Sequence, residues 1–277
     1  MRTLGQLKQI GQLLAFSFFC CSLSFNLQAT SELELKPNEL KTDNVIKTYV
    51  IGISDINHYP YFSLVKSENR GFAWSILESF AQQHNITFSY KVVPLTKLQL
   101  ELEKGEIDFI FPDNPKFNKF KDKANPNIYS SPIAQAVAVT YTSKQKQHYT
   151  IDQVKKVAIP FGYTSWQWSE VIRQYNIQTV PVRDLFQGLY ALRISNIDAT
   201  DIEYNIAQHI TNQSSYWSQM TLAKDLPSTK VDYHLSSIKH IGVLQDISQF
   251  VSSNPELILE LKNKYNIKYY DEVFPEE

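Results

Sequence analysis

Two acids stand at matching places in the sequence. Asp113 follows the apolar run Ile107-Asp108-Phe109-Ile110-Phe111, and Glu203 follows Ile197-Asp198-Ala199-Thr200. Each lies five residues beyond the Asp of its Ile-Asp pair. Both fall at the carboxyl end of a strand, which is where open α/β sheets bind ligands. Two carboxylates brought to one cleft repel unless a cation or a donor-rich group lies between them. The chemistry they suit is therefore the holding of an ammonium. Tyr59, Tyr61 and Trp166 offer aromatic faces that attract such a cation. Gly162-Tyr163-Thr164-Ser165-Trp166 reads as a tight turn into a helix, with Thr164 or Ser165 as its N-cap and backbone N–H groups open to an anion. Asn114, beside Asp113, is turn chemistry. Plainer readings stand next to these: Asp113 as a turn residue or cap, Glu203 as a solvated acid at a helix start, the three aromatics as core.

The elements that position these groups form a repeated unit. Leu98 and Leu102 lie on a helix that starts at Pro94 and ends at Gly105, a suitable C-cap. A buried strand over Ile107–Phe111 follows, too continuously apolar for one wet face and so suited to a parallel sheet. Pro112 and Pro115 are expected to end it. Ninety residues on, Leu185–Leu192 is again helical, Ser195-Asn196 is a turn, and a strand runs from Ile197 to Glu203. Asp108 and Asp198 belong to the turns rather than to a ligand. The repeat predicts two similar α/β lobes. Thr48–Ser54 is the first strand, Asp55–Phe62 a polar and aromatic loop, and Gly71 opens a helix with Phe72, Ile76, Leu77, Phe80 and Ala81 on one face. Ile86–Val93, Ala134–Tyr141, Val154–Pro160 and Thr179–Val182 complete the strands. Asp232–Leu235 is a return crossing, and Asp246–Lys264 is read as one terminal helix that brings the chain back to the first lobe.

Composition narrows the function. The 277 residues are 43% hydrophobic, 20% charged and 13% aromatic, as in a globular chain. A formal net charge of -1 gives no basic excess for a nucleic-acid partner. Arg2 and Lys8 precede a short apolar run from Leu13 to Phe25, and Leu27-Gln28-Ala29 ends in a small residue, so residues 1–29 read as a signal peptide cleaved after Ala29. Both cysteines, Cys20 and Cys21, lie within it, which leaves the mature chain without disulfide or thiol chemistry. Residues 30–47 read as a loose tail. The histidines lack metal-ligand spacing, and there is neither a Gly-rich phosphate loop nor a Gly-x-Ser-x-Gly nucleophile. No metal, cofactor or catalytic dyad is expected.

The order of features from Thr48 to Tyr269 resembles the family 3 periplasmic solute-binding proteins. The resemblance rests on Tyr49-Val50-Ile51-Gly52 followed by Tyr59-Pro60-Tyr61-Phe62, Arg70-Gly71-Phe72, Leu102-Glu103-Lys104-Gly105-Glu106-Ile107-Asp108, Tyr129-Ser130-Ser131-Pro132, Gly162-Tyr163-Thr164 and Asn196-Ile197-Asp198-Ala199. It implies a two-lobe α/β Venus-flytrap fold, with lobe 1 at 48–137 and 236–277 and lobe 2 at 138–235. It implies a monomeric periplasmic protein that closes over a small ligand and works with a membrane permease. Tyr59 matches the aromatic covering the ligand, Thr164 the hydroxyl holding its carboxylate, and Glu203 the acid holding its ammonium. The departure is at the carboxylate clamp. Where many members carry an Arg, this chain has Lys116-Phe117-Asn118-Lys119-Phe120-Lys121, and Lys119 is at best a point charge in place of a bidentate guanidinium. The alternatives are a ligand sensor docking on a membrane receptor and, on the same scaffold, an enzyme resembling cyclohexadienyl dehydratases with Glu203 or Asp113 as general acid.

Overall fold

The computed structural model describes residues 46–63, 70–117 and 126–276. The signal segment, most of the tail and Lys119 lie outside the described residues. The described residues form one compact unit. In chain order its elements are β1 (Lys47–Ser54), α1 (Phe72–Gln83), β2 (Ile86–Val93), α2 (Leu98–Lys104), β3 (Phe109–Asp113), β4 (Ile128–Tyr129), β5 (Ala134–Ser143), β6 (Lys156–Pro160), α3 (Trp166–Tyr175), β7 (Gln178–Val182), α4 (Leu185–Arg193), β8 (Ala199–Glu203), α5 (Tyr204–Thr211), β9 (Met220–Leu222), β10 (Thr229–Ser237), α6 (Ile241–Ser253), α7 (Pro255–Lys264) and α8 (Tyr270–Val273).

The strands run in the order β2-β1-β3-β10-β5-β8-β6-β7. At one end β2, β1 and β3 are parallel, and at the other β7, β6 and β8 are parallel. Between them the antiparallel strands β10 and β5 carry the chain across. β10 serves both sides: Thr229–Tyr233 pair with β5, and His234 and Ser236 pair with β3. The terminal helices return to the first half, where Phe250 of α6 meets Phe80 of α1 edge-on with ring centroids 5.7 Å apart.

The two repeats match bond for bond. After α2, the Glu106 N–H donates to Glu101 O and the Gly105 N–H to Leu102 O; after α4, the Asn196 N–H donates to Ala191 O and the Ser195 N–H to Leu192 O. This paired closure needs a left-handed residue, supplied by Gly105 at φ 75° and by Ser195 at φ 56°. The Asp that follows then ties its strand to the first strand of its half. Asp108 Oδ2 accepts the Val50 N–H at 2.8 Å, and Asp198 Oδ2 accepts the Lys155 and Lys156 N–H groups at 2.9 Å each. Both Ile-Asp acids are structural clamps.

Three elements differ from the sequence expectation. Pro112 does not end β3; it lies within it. The β3–β10 register shifts between His234 and Ser236, and such an irregularity accommodates a residue with no N–H to give. The single terminal helix is two, divided at Asn254-Pro255: Pro255 opens α7, and Asn254 takes a non-helical φ/ψ of -125°/52°, as the residue before a proline tends to. The helix placed from Pro94 begins as a short 3-10 turn, Leu95–Lys97, before α2.

Candidate functional site

The carboxyl ends of β1, β3, β6 and β8 and the loops leaving them carry most of the buried polar groups. The loop after β1 gives His58 and Tyr61. His58 Nδ1 donates to Ile56 O at 2.9 Å, which leaves Nε2 as an acceptor for the Tyr163 hydroxyl at 2.5 Å. The two rings are stacked, 6.2 Å apart. Burial pushes His58 down to about 4, so the imidazole is neutral at neutral pH. This contact joins the β1 loop to the turn after β6, where Gly162 at φ 87° makes the bend.

Tyr61 is 1% exposed. Its hydroxyl lies 3.0 Å from both Gln135 O and Glu203 Oε1, and it receives a hydrogen bond from Asn205 Nδ2 at 2.7 Å. Its ring meets Tyr233 of β10 edge-on at 5.4 Å. Glu203 ends β8 and caps α5. Its Oε2 accepts the Ile206 N–H at 2.8 Å; its Oε1 accepts the Val137 N–H and Asn205 Nδ2, each at 3.0 Å, as well as the Tyr61 hydroxyl. Burial pushes Glu203 up to about 7, and these four donors hold it back from rising further. Asp201 lies two residues earlier on β8, hence on the same face. It is 7% exposed, accepts a hydrogen bond from Gln167 Nε2, and is pushed by burial up to about 6. The Ser165 hydroxyl lies close enough to favour its ionised form but makes no full hydrogen bond. The phenols of Tyr163 and Tyr233 are raised by burial and by the nearby charges of Asp201 and Glu203. His58, Tyr61, Tyr163, Asp201, Glu203 and Tyr233 therefore form one group.

The remaining sequence candidates take other places. Asp113 is buried with a separate donor set: Ser236 Oγ at 2.6 Å, Asn127 Nδ2 at 3.1 Å and the Asn114 N–H at 2.8 Å. Burial raises its pKa. Among the described residues it shares no hydrogen-bond partner with Glu203. Asn114 stabilises its turn, giving Nδ2 to Asp232 O and accepting the Lys116 N–H. Tyr59 is half-buried, its ring 4.4 Å from that of His209. Trp166 lies under Lys116 Nζ, 4.0 Å from the ring centre. Thr164 is half-buried in the turn. Ser165 occupies the N-cap position of α3 without its side chain capping the helix. Two surface grooves, one between α1, β2 and α7 and one between β4 and α6, hold none of these residues. Neither brings several buried ionisable groups together, so the chemistry lies at the strand ends. Among the described residues no cluster suits a metal ion, and no helix is long and apolar enough to cross a membrane.

Sequence reasoning missed His58, Tyr163, Asp201, Gln167, Asn205 and Tyr233. Alternation along β8 was the available signal for Asp201. Asn205 lies two residues from Glu203 on the helix that Glu203 caps; for the others, which meet across the chain, there was none.

Comparison with solved structures decides the architecture. An arginine 3rd transport system periplasmic binding protein from Legionella pneumophila is similar at TM-score 0.64 and 17% identity, over 79% of this chain and 99% of that one. The fold is that of the periplasmic binding proteins. The GluR0 ligand-binding core in complex with L-glutamate is similar at TM-score 0.66 and 11% identity, over 80% of this chain and 99% of that one. A histidine kinase sensor domain with similarity to periplasmic binding proteins gives TM-score 0.63 at 12% identity, over 79% and 96%. No protein-family model matches the chain, and no curated protein does. In a periplasmic-binding-protein fold, helices flank largely parallel strands in two α/β halves, and β5 and β10 here are the strands that join them.

Proposed function

We propose that this chain binds a small polar, amine-bearing solute between its two halves and acts by hinge closure about β5 and β10. The observation carrying this reading is a concentration of buried carboxylate at the strand ends with no cation to meet it. Among the described residues, no Lys or Arg favours the ionised form of Asp201 or Glu203. A site so arranged is incomplete until a donor-rich cation enters. The lobes are residues 48–137 with 236–277, and 138–235, the changeovers falling within β5 and β10. The His58–Tyr163 contact ties the first half to the second, so a ligand that favours closure and this latch reinforce each other. The protein is a monomer exported to the periplasm by cleavage after Ala29, it hands its ligand to a membrane permease, and it catalyses no reaction. The test is a thermal-shift screen of the mature protein against amines, amino acids and small peptides, followed by calorimetry. Binding confined to anionic or apolar compounds refutes the reading.

A second reading, a sensor that docks on a membrane receptor, is favoured by the likeness to a histidine kinase sensor domain. Uptake of the labelled ligand by cells lacking the gene separates the two: transport predicts its loss, sensing predicts that uptake is unchanged and a ligand-dependent response disappears.

A further inference from the structure

Three buried carboxylates stand at strand ends, and their remaining capacity to accept hydrogen bonds differs. An ionised carboxylate has about four lone-pair sites. Glu203 meets four donors: two backbone N–H groups, the Tyr61 hydroxyl and the Asn205 amide. Asp113 meets three. Asp201 meets one, Gln167 Nε2, among the described residues. At 7% exposure it has little water to make up the difference. The side chain next to it is also short of a partner: Ser165, 8% exposed, has a hydroxyl with no hydrogen bond. A buried acid with open lone pairs, beside a buried hydroxyl that favours its ionised form without making a full hydrogen bond, is unfavourable apart from a ligand. Together, at the N-terminus of α3 and the end of β8, they describe a socket for N–H donors.

We propose that Asp201, rather than Glu203, is the carboxylate that receives the ligand's cationic group, with Ser165 Oγ and the Gln167 side chain completing the anchor. The assignment rests on the binding function proposed above and gives it a substrate class. Open lone pairs call for N–H donors, so the socket takes a primary ammonium or a guanidinium and rejects a quaternary ammonium, which carries charge without donors. Glu203 is left with a structural role: it caps α5 and ties that helix to Tyr61 and Val137. Gln167 holds one Asp201 oxygen and so orients the other.

The experiment uses the mature protein and four probes: L-arginine, L-lysine, 1,4-diaminobutane and glycine betaine. Thermal shift and calorimetry are run on wild type, Asp201→Asn, Ser165→Ala and Glu203→Gln. The expected result is binding of at least one primary amine or guanidine by wild type and none of betaine. Asp201→Asn then loses at least about tenfold in affinity, as for a lost charge-assisted hydrogen bond. Ser165→Ala, which breaks no full hydrogen bond, leaves the protein folded and loses about threefold or more in affinity. Glu203→Gln melts lower but binds within about threefold of wild type once folded. Wild-type affinity in both Asp201→Asn and Ser165→Ala overturns the assignment while leaving the binding function standing, and so does a selective loss in Glu203→Gln. Failure of all four probes on wild type overturns the cation reading itself, and this assignment with it.

Discussion

Replacing Tyr61 by Phe removes one hydroxyl from the point where the β1 loop, β5, β8 and α5 meet. The ring is 1% exposed and keeps its edge contact with Tyr233, so no cavity forms and no water replaces the lost group. The hydroxyl oxygen lies 3.0 Å from both Gln135 O and Glu203 Oε1, and its one proton is shared between them. A hydrogen bond to a charged acceptor contributes about 1.5–3 kcal/mol. One proton shared between two acceptors belongs in the lower half of that range, about 2 kcal/mol. Asn205 adds little, because its amide still has Glu203 Oε1 at 3.0 Å and Lys268 O at 2.9 Å as acceptors. For a protein of this size, about 2 kcal/mol lowers Tm by roughly 4–8 °C. The effect depends on pH with a definite sign. In the folded protein Glu203 is pushed up to about 7, from an ordinary 4.5, so it is ionised only above neutrality. The Tyr61 hydroxyl favours the ionised form, and its loss raises Glu203 further. Destabilisation is therefore greatest at pH 8 and shrinks to about 1 kcal/mol near pH 5.5, where the acceptor is a neutral acid. Urea unfolding of wild type and Tyr61→Phe at both pH values measures this, with an unchanged m as the control. A difference below about 0.5 kcal/mol at pH 8, or one that grows on acidification, refutes the argument.

Three further outcomes follow from the geometry. His58 is pushed from 6.5 down to about 4 by burial, so its contribution is whole above pH 6.5 and is lost as pH falls toward 4; His58→Gln is therefore up to about 1 kcal/mol less stable than wild type at pH 8 and more stable than wild type at pH 4.5, and melting curves without such a crossing contradict the buried neutral imidazole. Gly71 has φ 126°, and a Cβ there meets Tyr61 O at 2.4 Å, so Gly71→Ala lowers stability by about 3 kcal/mol or more, an effect that chemical denaturation reads directly. Asp108→Asn and Asp198→Asn each weaken a strand clamp, lowering unfolding free energy by about 1–2 kcal/mol while leaving calorimetric ligand affinity unchanged.

Sequence legibility followed how local the causes were. The α2 and α4 repeats were readable because a Schellman closure, an Ile-Asp clamp and a buried parallel strand fit within about fifteen residues, each with its own chemical signature. The helix break at Asn254-Pro255 was equally local, and the apolar pattern running through it outweighed the proline in the reading. At the site the limit is physical. Sequence places an acid at a strand end, but whether it awaits a ligand depends on how many donors the rest of the chain brings to it. Glu203 has the position that a ligand-facing acid needs, yet Val137 and Tyr61, far from it in the sequence, meet its oxygens along with Asn205 and the Ile206 N–H of its own helix. Asp201 has a less suggestive position, but its lone pairs stay open and the hydroxyl beside it lacks a partner. Glu203 and Asp113, the two acids that sequence offered for the ligand, each meet a donor set from the protein itself, so substitutions there are expected to perturb stability first. On the assignment proposed above, the affinity effect belongs two residues earlier on the same strand face, to the acid whose hydrogen bonding the described residues leave incomplete.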